Sequence, residues 1–376
     1  MKILFLASAS SIHTTRWVNE MARRNHEVHL VSLHPICDPL DERIRFYRPP
    51  FPESVGYYAN YPWVRRLAKT VNPDIINAHY ASGYGTLARL VNFHPTILSI
   101  WGSDVYEFPY QSRWKKRILR KNLEAADRVA STSRIMRQQA ENLFTPKKEI
   151  AITPFGVDCS VFRPQPKSPN NILRIGTVKT LSPKYGVSYL IEAFAIAKGE
   201  GLRSAELILV GDGPQRKELE EMTVKLDLRD SVKFIGPVPH AEVPNWLNSF
   251  HIYAALSVFD SESFGVSVVE ASACGLPVVV SDAGGLPEVV LDGKTGFIVP
   301  KRDARSTAEK IVLLATDADQ RNYMGREGRA YILKNYEWSE NADRMERLYL
   351  ETIDCRTPRE GIDTAAPRSC DKSKGE

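Results

Sequence analysis

The chain opens on a continuous apolar run, Lys2 to Ala7, followed by a polar loop, Ser8 to Thr15, a helical pattern from Trp17 to Arg24 and a second apolar run from Glu27 to Leu33. An unbroken apolar run of this length suits a strand buried on both faces, and strand–loop–helix–strand is the opening of a doubly wound parallel sheet. Short runs at Asp74–Ala78, Thr96–Ile100, Asp127–Ser131 and Ile150–Thr153 continue the rhythm. It then pauses in a proline-rich polar connector, Gln165 to Asn171, and resumes with Leu173–Val178, Ala205–Val210, Val232–Ile235, His251–Leu256, Pro277–Ser281 and Gly296–Val299. A chain of 376 residues has room for two domains of ordinary size. The expected fold class is α/β, with two Rossmann-like doubly wound domains at residues 1–164 and 171–337. A last helix is expected at residues 338–354 and a disordered tail at 355–376.

The densest local signal lies in Ser261 to Pro277, SESFGVSVVEASACGLP, where Glu262 and Glu270 stand eight positions apart. A glycine after an aromatic residue, leading into an apolar run, reads as a loop entering a helix near Gly265. The first N–H groups of such a helix have no partner within it and carry the positive end of its dipole, so Phe264, Gly265 and Val266 would offer amides to a phosphate. One carboxylate would lie just before that anion site and the other inside the helix. Such an element suits a sugar joined to a nucleoside through a diphosphate, with a carboxylate for each sugar. Two solvated glutamates on an amphipathic helix would show the same spacing.

The pair does not stand alone. Cys274-Gly275-Leu276-Pro277, the valine run after it and Gly284-Gly285-Leu286-Pro287-Glu288 complete a pattern that resembles the retaining glycosyltransferases of family 4, which have the GT-B fold. The resemblance covers roughly Lys2 to Ile353 and is strongest in the second half. It implies two domains facing across a cleft, with the last helix crossing back onto the first. It also implies transfer of a sugar from a nucleoside-diphosphate sugar to an acceptor hydroxyl, in cell-surface polysaccharide, lipopolysaccharide or glycolipid synthesis. In that reading Glu262 places the donor sugar and Lys179 and Lys184 neutralise the leaving diphosphate. Glu270 accepts from the ribose, backbone groups near Val238 read the base, and Gly211 and Gly213 form a turn that lets the backbone come close to the donor. No cofactor and no metal are expected, the partners being the donor and a carbohydrate or lipid-linked acceptor.

Departures from the pattern fall mostly in the first half. The family often has a glycine pair in the first loop, where this chain has serines and His13. Trp101, in Trp101-Gly102-Ser103-Asp104, takes the place of a histidine that faces the reaction centre; an indole can stack on a sugar but cannot relay a proton. His13, His79, Trp101 and Asp104 are therefore the acceptor-side candidates. Lys179 stands for an arginine and keeps the charge without the bidentate fork. The competing reading is a GT-B protein that binds a nucleotide-sugar with altered or no transfer activity, because of Trp101.

Composition narrows the field. The GxGxxG dinucleotide fingerprint is absent from the first loop, which disfavours a nicotinamide dehydrogenase. A net charge of +5 is too weak to imply nucleic acid. Five scattered cysteines form no metal-ligand or disulfide spacing, which fits a cytoplasmic protein. Two basic, aromatic stretches, Tyr57–Lys69 and Tyr110–Lys121, suit either solvated helix faces or a peripheral contact with an anionic membrane surface.

Overall fold

The computed structural model describes residues 1–166 and 172–354, so the tail at 355–376 and most of the connector lie outside the described residues. The first sheet contains β1 (Lys2–Leu6), β2 (Glu27–Val31), β3 (Arg45–Tyr47), β4 (Ile75–His79), β5 (Thr96–Ile100), β6 (Arg128–Ser131) and β7 (Ala151–Ile152), in the order β3-β2-β1-β4-β5-β6-β7. The second contains β8 (Arg174–Val178), β9 (Glu206–Val210), β10 (Val232–Gly236), β11 (Ile252–Ala255), β12 (Val278–Ser281) and β13 (Gly296–Val299), ordered β10-β9-β8-β11-β12-β13. Every pairing in both sheets is parallel. This is the two-domain α/β architecture that the apolar runs imply: central strands such as β4, β5, β11 and β12 are buried along their whole length.

The strand order reverses direction between β1 and β4 in the first sheet and between β8 and β11 in the second. In open parallel sheets ligands bind beyond the carboxyl ends of the strands at such a switch point. Trp338–Asp354, the last described helix, packs onto the first domain. There Arg24 pairs with Asp343 and with Glu346 at 2.8 Å, the Tyr349 hydroxyl accepts from Asn77 at 2.7 Å, and the Trp338 indole N–H donates to Glu20 at 3.0 Å. No helix among the described residues is long and apolar enough to cross a membrane.

Two expectations need correction. The first helix runs Ile12–Arg23, starting five residues before Trp17, because the backbone turns helical directly after Ser11 and the small polar residues Thr14 and Thr15 face inward. His13 is therefore in the first turn of a helix and not in a loop. The stretch Tyr57–Lys69 is two helices, Glu53–Ala59 and Tyr61–Val71. They part at Asn60, whose side chain bonds both backbone groups of Phe51 at 2.9 and 3.0 Å, and Pro62 enters the second helix where a missing N–H costs nothing. On the second basic stretch, carried by helix Arg113–Ala125 and the turn before it, Trp114 and Tyr110 are well exposed.

Candidate active site

The two switch points face one another. A cleft of about 420 Å³ is lined by His13 and Arg16 from the first domain and by Lys179, Tyr185, His240, Glu262, Val266 and Glu270 from the second. The start of helix Val266–Ala273 thus forms part of the cleft wall. Gly265 precedes that helix with φ +86, a conformation that favours glycine, and a Cβ there would meet Leu286 at 2.6 Å.

Glu262 and Lys179 form a buried ion pair, Nζ to Oε2 3.0 Å, and Ser257 Oγ donates to the same carboxylate oxygen at 3.2 Å. Burial pushes the Glu262 carboxyl up, but the Lys179 charge and hydrogen bond, helped by Lys184, overcome it and hold the group below the ordinary glutamate range. Burial likewise disfavours the Lys179 cation, and Glu262 more than restores it. Lys184 Nζ donates to the Ser261 carbonyl at 2.9 Å, so the ammonium is tied to the same loop; burial lowers its pKa, against the pull of Glu262. Both ammonium groups lie near the Tyr185 ring, at 4.7 and 5.6 Å from its centroid.

Glu270, buried midway along its helix, accepts a hydrogen bond from His240 Nε2 at 3.0 Å. The Gly211-Asp212-Gly213 turn lies beside the Lys179 loop: Leu181 N–H donates to Asp212 O at 3.0 Å, and Gly211 N–H to Gly236 O at 2.8 Å. Val238 follows β10 and is partly buried against the core. Phe264 is buried, with its ring edge-on to Phe155 and Tyr336.

Of the acceptor-side candidates, only His13 lines the cleft. Its ring stacks on Phe155 at 4.1 Å, and Nδ1 has no hydrogen-bond partner among the described residues. Trp101 is buried behind it, 4.3 Å from the His79 ring and edge-on to His13 at 6.0 Å. His79 is fully enclosed, 3.3 Å from Thr14 Oγ1. Asp104 is also enclosed: its carboxylate accepts from the N–H groups of Ala81 and Gly102, both at 2.8 Å, and shapes the loop that carries Trp101. Burial pushes the Asp104 carboxyl up despite those bonds.

Sequence reasoning missed Arg16, Tyr185 and His240. His240 follows the end of β10, where loops of open sheets meet ligands, and that position was the available signal. Arg16 bonds the Gly156 carbonyl at 2.9 Å and lies 4.2 Å over the Trp338 ring, contacts that no local pattern announces.

Two imidazoles, His79 enclosed and His13 half-buried in the cleft wall, make stability depend on pH. Burial, with the Arg16 charge, lowers His13 from 6.5 to about 3, and burial, with His13, lowers His79 to about 3. Below pH 6.5 the unfolded chain takes up protons that the folded one refuses, so stability is intact above that pH and falls toward pH 3. The slope is about 1.4 kcal/mol per pH unit for each histidine. Thermal midpoints measured between pH 7 and 4.5 are expected to fall, and His79→Gln is expected to flatten that fall; an unaltered slope in the variant would contradict the assignment.

Comparison with known proteins bears on what this cleft does. Residues 160–331 match the family model described as glycosyl transferases group 1, and residues 2–133 match one described as glycosyl transferase 4-like. The chain is 30% identical over 283 residues to the GDP-mannose-dependent alpha-(1-6)-phosphatidylinositol monomannoside mannosyltransferase of Mycolicibacterium smegmatis, covering 70% of this chain and 72% of that one. It is 24% identical to the N-acetyl-alpha-D-glucosaminyl L-malate synthase of Bacillus anthracis, over 92% of this chain and 94% of the other. Among solved structures, sucrose-phosphate synthase from Thermosynechococcus elongatus superposes with a TM-score of 0.80, covering 94% of this chain and 100% of that one at 20% identity, a likeness of fold.

Proposed function

This chain belongs to the group 1 glycosyl transferases and has their GT-B fold, and from that premise we propose that it moves a sugar, with retention at the anomeric carbon, from a nucleoside-diphosphate sugar to an acceptor hydroxyl. Its acceptor is a carbohydrate or lipid-linked molecule in glycolipid or surface-polysaccharide synthesis. The exposed Trp114 and Tyr110 beside the cations of helix Arg113–Ala125 suit a peripheral contact with an anionic membrane surface.

The observation that carries this reading is the convergence of a helix N-terminus, Lys179 and two glutamates on one interdomain cleft, with Lys184 tied to the loop that carries Glu262. A diphosphate at the start of helix Val266–Ala273 would meet its free amides and the dipole's positive end. As the C1–O bond to the diphosphate breaks, negative charge grows on the leaving phosphate, and the amides, Lys179 and Lys184 oppose it. The acceptor oxygen bonds to C1 on the face the phosphate leaves, and its proton passes to the leaving phosphate oxygen. That route needs no ring nitrogen at position 101. Glu262 holds donor-sugar hydroxyls, Glu270 accepts from the ribose hydroxyls, and His13 faces the acceptor as a neutral imidazole.

Glu270→Gln is expected to weaken nucleoside-diphosphate binding at least tenfold by calorimetry, since a hydrogen bond to a charged group is worth about 1.5–3 kcal/mol. Unchanged affinity would remove Glu270 from the site. Product formation from a nucleotide-sugar separates the transferase from a binder without activity.

A further inference from the structure

The loop that would hold the donor, residues 260–265, is carried on a second segment. Gly284-Gly285-Leu286-Pro287-Glu288 runs directly beneath it. Gly285 N–H donates to Glu262 O at 2.8 Å and Gly284 N–H to Asp260 Oδ1 at 3.2 Å. The contact is backbone against backbone: a Cβ on Gly285 would lie 2.2 Å from Ser263 O. The segment ends in a short 3-10 helix, Leu286–Glu288, and the hydroxyls of Tyr331 and Tyr336 donate to the Glu288 carbonyl at 3.2 and 3.0 Å. It is a stiff floor for the loop.

Glu288 then reaches the other domain. Its carboxylate accepts from Arg134 N–H at 2.9 Å and from Ile135 N–H at 2.6 Å. These are the first two residues of helix Arg134–Glu141, where a carboxylate meets free amides and the positive dipole end. That helix already has its own cap, Ser133 Oγ accepting from Met136 N–H at 3.3 Å, so Glu288 is not needed to begin it. The donor loop makes a second bond to the same domain: Ser263 Oγ donates to the Trp101 carbonyl at 2.8 Å.

We propose that Glu288 is a positioning residue for the transfer reaction: by bracing the floor of the donor loop against helix Arg134–Glu141, it makes the placement of Glu262 and of the phosphate-binding amides depend on the first domain being docked. The proposal rests on the donor-site reading given above. It assigns Glu288 no contact with substrate. A glutamate that merely ties two domains together would lower stability when removed and leave the loop and the turnover of the folded enzyme as they were.

The test compares wild type, Glu288→Ala and Glu288→Gln in the full chain by amide hydrogen exchange and steady-state kinetics. Glu288→Ala is expected to speed exchange several-fold at residues 259–266 as well as at 134 and 135. It is also expected to lower kcat about tenfold, the factor one charge-assisted hydrogen bond supports. Donor KM should change less, because a loosened loop costs most where charge develops. Glu288→Gln keeps one acceptor oxygen and is expected to recover part of both effects. Exchange that rises only at 134 and 135, or a loosened donor loop with wild-type kcat, would overturn the proposal. The exchange measurement uses protein without nucleotide, so it stands whatever the Glu270→Gln titration shows of the donor site itself.

Discussion

Replacement of Lys184 by alanine is expected to lower kcat by about 10²–10³, with a smaller rise in donor KM. The ammonium is held in place before any substrate arrives, by the Ser261 carbonyl at 2.9 Å and beside the Tyr185 ring. A preorganised donor of this kind matters most when charge grows on the departing group, and losing one typically costs about 3–4 kcal/mol in activation energy. The ground state loses less, because the diphosphate already carries most of its charge there and retains Lys179 and the helix amides. Steady-state kinetics decide the point: a variant with wild-type kcat would take Lys184 out of the mechanism, and a raised KM with unchanged kcat would make it a binding residue only.

The second large effect concerns the Lys179–Glu262 pair, in which both side chains are about nine-tenths buried. Removing either partner leaves the other as an uncompensated charge largely withdrawn from water in the cleft wall, so Lys179→Met and Glu262→Gln are each expected to cost about 3 kcal/mol of stability, the low end for a buried pair. The double variant, with no charge left to strand, should regain most of that loss. Activity should behave differently: both single variants and the double are expected to be inactive, because the diphosphate loses a cation and the donor sugar loses its carboxylate. Chemical denaturation of the four proteins checks this, together with a transfer assay. Additive stability losses would show that the two groups do not support each other, and an active double variant would show that the pair is scaffolding alone.

How much of this was legible in the sequence depended on how local the cause was. Buried parallel strands need unbroken apolar runs, so β1, β4, β5, β8, β9 and β12 can be read from composition alone, to within a residue or two at each end. The cleft-facing element at Ser261–Pro277 was legible for a similar reason: its glycine, its helix start and its two carboxylates lie within one short stretch. The early start of the first helix was not, because serine, histidine and threonine look like a loop until the fold turns Thr14 and Thr15 inward. Contacts between residues far apart in the chain were not legible either. Nothing near Glu288 announces that its carboxylate will meet Arg134 N–H, 154 positions away. His240 and Glu270 come together only because the loop after β10 and the start of helix Val266–Ala273 meet at the same cleft. Trp101 stood out as a departure from the family pattern. Its burial among His79, His13, Tyr80 and Phe155 follows from the packing of the loops after β4, β5 and β7 against the first turn of helix Ile12–Arg23, which sequence alone does not bring together.

The start of helix Val266–Ala273 is expected to receive the diphosphate of the donor. A crystal structure of the protein with a bound nucleoside diphosphate tests it most directly. Phosphate oxygens are expected at hydrogen-bonding distance, about 3 Å, from the backbone N–H groups at Gly265 and Val266, with the ribose hydroxyls on Glu270. A nucleotide seated elsewhere, with that helix start left to solvent, would contradict it.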